Sequence, residues 1–119
     1  MKFIVLLLLL PTLASADEFV ARVASVHDAD TIVVLQNQHA IAIRLRGIDC
    51  PETGEAEGLR AKKYASEKIQ GKNVKLKTYG KDRYGRTIAD VFLESGKFFN
   101  QELVLSGNCR WGRSRAMRP

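Results

Sequence analysis

The apolar residues of this chain change their period midway, so the fold needs strands first and a helix after them. Over 19–26 and 40–46 they recur at every second position, the spacing of strands with one buried face. Phe19, Ala21, Val23 and Ser25 alternate with Val20, Arg22, Ala24 and Val26, which predicts a strand over 19–26. His27-Asp28-Ala29-Asp30 turns the chain, and the β-branched, apolar stretch 31–35 returns it. Residues 36–39 turn it again. Ile41, Ile43 and Leu45 then alternate with Ala42, Arg44 and Arg46 in a third strand over 40–46. Consecutive strands joined by such short turns predict an antiparallel meander.

Beyond residue 55 the period becomes helical. Ala61, Ala65 and Ile69 share one face of a helix over 55–70, with Gly71 as its C-terminal cap. Gly58 weakens the first half of that helix. Val74, Leu76 and Thr78 alternate with Lys75 and Lys77, a strand over 73–79 with one basic face. A charged loop over 80–85 leads to a strand over 86–93, in which Ile88, Asp90 and Phe92 oppose Ala89, Val91 and Leu93. Asn100 is placed to cap a short helix through Ser106, ended by Gly107. Five strands with a helix between the third and fourth, and a short second helix, predict the α+β, mainly β Greek-key barrel of the OB fold.

The N-terminus reads as a targeting segment. Lys2 precedes an apolar run over 3–10, Pro11 breaks it, and Ala14-Ser15-Ala16 offers small side chains for cleavage. The pattern is a secretory signal over 1–16, leaving 17–119 as one domain in the periplasm or outside the cell. The run is shorter than the about 20 residues that span a bilayer, so no membrane attachment is expected after cleavage. Lys and Arg number 19 against 13 Asp and Glu, a net charge of +6. A basic exported domain favours polyanions such as nucleic acid, envelope polymers or lipid head groups, with plain solubilising charge as the alternative. An exported setting permits a disulfide between Cys50 and Cys109, worth roughly 4 kcal/mol for a loop of about 60 residues. Two free thiols are the other possibility. The two Cys and two His have no ligand spacing, which argues against zinc.

Acidic residues should be scarce where a polyanion binds, yet Asp28 and Asp30 flank the first turn, and Asp49 and Glu52 follow the third strand. Carboxylates with a backbone carbonyl and waters suit a hard cation such as Ca²⁺ or Mg²⁺. For a single Asp beside a turn, a hydrogen bond to the local backbone is the simpler role. Arg44, on the third strand, and Arg86, after "DRYG", carry guanidinium forks that match two phosphate oxygens. Beside a cation they would stabilise the charge that a phosphodiester gains when water attacks it; alone, either merely solvates a strand face. Strand parity adds a condition. Arg44 and Asp49 stand an odd number of residues apart and would point to opposite faces of a regular strand. For them to share a site the chain must bend between them, and Gly47 is the residue suited to do it.

"DADTI" at 28–32, "IRLRGIDCPE" at 43–52 and "KDRYGRTIADV" at 81–91 resemble the three signature segments of the staphylococcal nuclease (thermonuclease) family, in its order and at its spacing. "GKFFNQELVLSG" at 96–107 resembles its next segment, and the likeness runs over about 18–110. The resemblance implies that Asp30 and Asp49 bind Ca²⁺ through their side chains and Cys50 through its carbonyl. It implies that Glu52 holds or deprotonates the attacking water, and that Arg44 and Arg86 contact the scissile phosphate and its pentacovalent transition state. Arg83 and Tyr84 match positions that line the family's nucleotide pocket. The family cuts DNA and RNA with little sequence preference and leaves 3′-phosphate ends.

Three departures stand out. Ala29 replaces a customary glycine, and Cys50 a customary Thr or Ala, which a carbonyl role tolerates. The family also continues through aromatic substrate contacts into a third helix. Here "NCRWGRSRAMRP" is Arg-rich without apolar periodicity, with Arg113 and Arg115 where aromatic residues are expected, so that helix is expected to be missing. The expectation is therefore an exported, monomeric, Ca²⁺-dependent nuclease acting on DNA and RNA. The second reading is a non-catalytic nucleic-acid-binding OB module derived from such nucleases. The third is a basic envelope-associated structural protein whose carboxylates only cap turns.

Overall fold

The alternating segments close into a five-stranded barrel in the computed structural model, which describes residues 2–6 and 17–112. Residues 7–16 of the expected signal segment, with its cleavage point, lie outside the described residues, as do Arg113 and Arg115. The barrel strands are β1 (Glu18–Asp28), β2 (Thr31–Gln36), β3 (His39–Leu45), β5 (Asn73–Lys81) and β6 (Thr87–Phe92). A short β4 (Ile48–Asp49) follows β3, and α1 (Ala56–Ile69) connects it to β5. After β6 come α2 (Phe99–Leu105) and a short β7 (Arg110–Trp111). Around the barrel the order is β1-β2-β3-β6-β5. β3 and β6 are parallel, and the other neighbours are antiparallel. This is the OB fold that the periodicity predicts.

The interior is aliphatic. Val23, Ile32, Val34, Ile43, Leu45, Val74, Leu76 and Val91 are buried inside, against Ala61, Ala65 and Ile69 of α1 and Phe99 and Leu103 of α2. Each large side chain of this kind is worth about 1.5–3 kcal/mol over leaving it exposed. The helix α1 is tied to the barrel where it ends: Gly71 N–H donates to Val23 O at 2.8 Å, and Val23 N–H to Lys72 O at 2.9 Å.

Several local expectations change. The inward face of β1 is Ala21, Val23 and Val26 rather than Ser25, because a register shift between Val23 and Ser25 moves the alternation by one residue. Arg86 sits in the turn before β6 rather than in the strand. The β2–β3 hairpin turns on Asn37 and Gln38, both at positive φ, the conformation of a two-residue type I′ turn. Ala29 is not among the positive-φ residues, so its replacement of glycine carries no strain. Asn100 does not cap α2. That position is Phe98, and Asn100 lies inside the helix, fully buried, accepting from Val91 N–H at 2.9 Å and donating to Arg46 O at 2.9 Å. The cysteines are joined: Cys50 and Cys109 form a disulfide with their Cα atoms 4.4 Å apart. It runs beside the β4–β7 pair, where Ile48 meets Trp111 and Asp49 meets Arg110. Among the described residues no helix is long and apolar enough to cross a membrane.

Candidate active site

Register brings the first two carboxylate-bearing turns together. Thr31 of β2 pairs with Arg44 of β3, so Asp30 lies beside the end of β3, and Leu45 N–H donates to Asp30 O at 2.9 Å. The Arg44 side chain, 13% exposed, reaches Asp30 Oδ2 through Nη1 at 3.4 Å. The chain then turns at Gly47, which holds φ +81°, a conformation glycine adopts without a Cβ penalty. Past that turn Asp49 comes back toward Arg44, and Arg44 Nη2 donates to Asp49 Oδ1 at 2.9 Å. Parity had separated these two side chains, and the turn at Gly47 rejoins them. One guanidinium is therefore bracketed by two carboxylates, and its Nη1 also donates to Leu45 O at 2.8 Å.

A second arginine joins through Thr31. Thr31 Oγ1 donates to Asp30 Oδ1 at 3.3 Å and accepts from Arg86 Nη1 at 3.4 Å. Arg86 is aimed by Asp82, whose Oδ2 accepts from Arg86 Nε at 2.7 Å and whose Oδ1 accepts the backbone N–H groups of Tyr84 and Arg86 at 2.9 Å each. Desolvation acts to raise the Asp82 carboxyl, but these N–H groups and the guanidinium outweigh it, and its pKa lies below the ordinary value. On the same turn Tyr84 is 69% exposed, with the Arg83 and Arg86 guanidinium carbons 4.9 and 5.4 Å from its ring centroid. An exposed ring flanked by cations is a surface on which a base can stack beside its phosphate.

The segment after β4 carries the remaining candidates. Cys50 N–H donates to Asp30 Oδ2 at 2.9 Å, and its sulfur is held by Cys109. Thr53 N–H donates to Asp28 Oδ1 at 3.2 Å. Asp28 thus takes the local backbone role that a turn carboxylate often has, although across the site rather than along the chain. Glu52 is exposed, and the structure gives its carboxylate no hydrogen bond from the described residues. It stands in the same short segment as Asp49 and Cys50 without contacting the Arg44 network.

Asp30 bears on whether a cation suits the site. It is 8% exposed, and desolvation raises its pKa despite Arg44, the Cys50 N–H and Thr31. A buried carboxylate that shares one guanidinium with a second carboxylate suits a hard divalent cation that takes oxygen ligands and keeps water. Among the described residues no group of three or more His, Cys, Asp and Glu gathers into a protein cage. Asp30 and Asp49 both lie against Arg44, and carboxylate oxygens of this kind are donors that a partly hydrated hard cation accepts.

Sequence reasoning passed over Thr31 as a bridge and Asp82 as the residue that orients Arg86. Asp82 had a legible signal, because an Asp shortly before a glycine commonly bonds the backbone of its own turn.

A family model described as staphylococcal nuclease homologue matches residues 42–116. An uncharacterized endonuclease of Haemophilus influenzae is 39% identical over 105 residues, covering 85% of this chain and 58% of that protein. The thermonuclease of Staphylococcus hyicus is 33% identical over 106 residues, covering 82% of this chain and 62% of its own. The micrococcal nuclease of Shigella flexneri is 39% identical over 75 residues, covering 63% and 43%. The chain thus spans roughly half the length of these curated relatives.

Proposed function

The chain belongs to the staphylococcal nuclease homologue family, and from that membership we propose that it is an exported, monomeric nuclease that hydrolyses phosphodiester bonds of DNA and RNA with Ca²⁺ as cofactor. The observation that supports this most directly is the Arg44 guanidinium bracketed by Asp30 and Asp49 and linked through Thr31 to Arg86. Carboxylates suited to a cation and guanidiniums suited to a phosphate stand together there, which supports a site for phosphodiester hydrolysis.

Asp30, Asp49 and the Cys50 carbonyl would hold Ca²⁺. When bound, it would supply positive charge to offset the negative charge of a phosphate and make water easier to deprotonate. Glu52, exposed and unengaged, accepts the proton of the water whose oxygen attacks phosphorus. The P–O5′ bond breaks as the new P–O bond forms, the departing O5′ takes a proton from solvent and Glu52 later returns its proton to solvent, leaving a 3′-phosphate and a 5′-hydroxyl. Arg44 and Arg86 carry the charge that builds on the equatorial oxygens, and Asp82 keeps Arg86 aimed at them. Arg83 and Tyr84 seat the neighbouring nucleotide by charge and stacking, which reads no sequence and accounts for broad specificity.

Cleavage of single-stranded DNA and of RNA by Glu52→Gln and Arg86→Ala tests these roles. Each substitution should lower kcat by roughly a hundredfold or more. Rates unchanged in both variants would make the assignment wrong. Salt-sensitive binding by a folded wild-type chain that never cleaves would favour the non-catalytic OB module instead.

A further inference from the structure

We propose that Gly58 is a positioning residue for Glu52, a role that rests on the nuclease reading above. Gly58 is buried in the first turns of α1, where glycine costs helix stability and no turn requires it. It is absent from the residues at positive φ. Its reason is space. A Cβ at this position would lie far inside van der Waals contact with the carbonyl oxygen and carbon of Glu52, and 2.8 Å from the amide nitrogen of Thr53. These are backbone atoms, so no side-chain rotation relieves the overlap. The segment that bears Glu52 is packed directly on the bare Cα of the helix.

The fit matters because the Glu52 side chain is placed through its backbone. Its carboxylate has no partner among the described residues, so its place is set by its backbone. That backbone is pinned on either side. Cys50 is bound through its N–H to Asp30 and through its sulfur to Cys109, and Thr53 N–H is bound to Asp28. The Glu52 carbonyl accepts from Glu55 N–H at 3.2 Å, which folds the segment back onto α1. Gly58 closes the remaining side. A methyl there must push the Glu52 peptide outward between two fixed points, carrying the carboxylate with it. Gly54, in the same loop, provides the contrast: a Cβ there meets nothing within 4 Å, and its φ is not positive.

The experiment compares Gly58→Ala, Gly54→Ala and wild type in the full chain, by cleavage of single-stranded DNA with Ca²⁺ and by amide hydrogen exchange. Displacing a general base by about an ångström costs roughly a hundredfold in rate. Gly58→Ala should lose that much kcat with KM within about threefold, as expected when transition-state stabilisation rather than binding is lost. Its Thr53 and Glu55 amides should exchange at least tenfold faster while the amides of β1–β3 keep their protection. Gly54→Ala should match wild type in both measures. Adding Gly58→Ala to Glu52→Gln should slow cleavage no further, since the group it positions is already disabled. Wild-type rate and exchange in Gly58→Ala would overturn the proposal. So would a further rate loss on top of Glu52→Gln, or faster exchange throughout the barrel. A wild-type chain that binds DNA and never cleaves it would defeat the nuclease reading and with it the role for Glu52. The exchange comparison would still decide whether Gly58 seats the loop.

Discussion

Replacing Asn100 by alanine should cost this domain a large part of its stability, although the side chain touches no candidate catalytic group. Asn100 is fully buried, and its amide ties α2 to β6 and to the turn that follows β3. Its oxygen accepts from Val91 N–H at 2.9 Å. Its nitrogen donates to Arg46 O at 2.9 Å and to Ala89 O at 3.4 Å. Ala89 O keeps a second donor in Arg46 N–H at 2.9 Å, so the group that truncation strands is Val91 N–H. A stranded buried polar group costs about 1–3 kcal/mol, out of the about 5–15 kcal/mol that holds a typical domain folded. In urea denaturation the midpoint should fall by on the order of 1 M with the slope unchanged. Asn100→Asp should do no better, because it keeps the acceptor for Val91 but sets an anion against Arg46 O. Asn108→Ala, which removes only an exposed bond to Ser106, should stay within about 0.5 kcal/mol. A loss below about 1 kcal/mol for Asn100→Ala would refute the reasoning, since it would mean that water or relaxation satisfies Val91 N–H.

Two further outcomes follow from groups around the site. Asp90 is buried with its Oδ1 lacking a hydrogen bond among the described residues, and desolvation raises its pKa although Arg46 pairs with it at 3.3 Å. A raised folded pKa means the native state binds the proton more readily than the unfolded chain. Stability therefore falls as pH climbs from the ordinary carboxylate range through the folded pKa, and the penalty is fully present above it. Asp90→Asn should be the more stable protein at pH 7 and lose that advantage on acidification. Thermal melts from pH 3 to 7 check this, and a variant less stable at every pH would sink it. The Cys50–Cys109 disulfide closes a long loop, and Cys50→Ser with Cys109→Ser should cost roughly 4 kcal/mol in urea denaturation. The same pair should also slow cleavage by the molecules that remain folded, because the disulfide steadies the segment between Asp49 and Glu52. A doubly substituted protein as stable and as active as wild type would contradict both expectations.

How much of this was legible depends on whether the cause is local. The strand-to-helix change of period dictated the barrel and its helix, because burial of one face acts on every residue of an element. Parity made the bend at Gly47 a condition for Arg44 and Asp49 to meet, and the positive φ there meets it. The alternation over 19–26 fails at Ser25 because a bulge shifts it by one residue without leaving a glycine or proline as a sign. Asn100 resembled a cap because the same short amide serves at a helix end and in a buried strand–helix staple. β4 and β7 are two residues each, too short to show a period. Whether the thiols join depends on a distance in space that no spacing records, and Gly58 looked like a flaw because the loop packed on it lies outside the helix.

The central claim is that these carboxylates and arginines make a Ca²⁺-dependent nuclease, and one titration tests it most directly. Purified, folded chain is given single-stranded DNA and RNA with Ca²⁺, then a chelator, then Ca²⁺ again. The account predicts cleavage of both nucleic acids, its loss with the chelator and its return with the ion. Cleavage indifferent to the chelator, or folded protein that binds both substrates with Ca²⁺ and cuts neither, would contradict it.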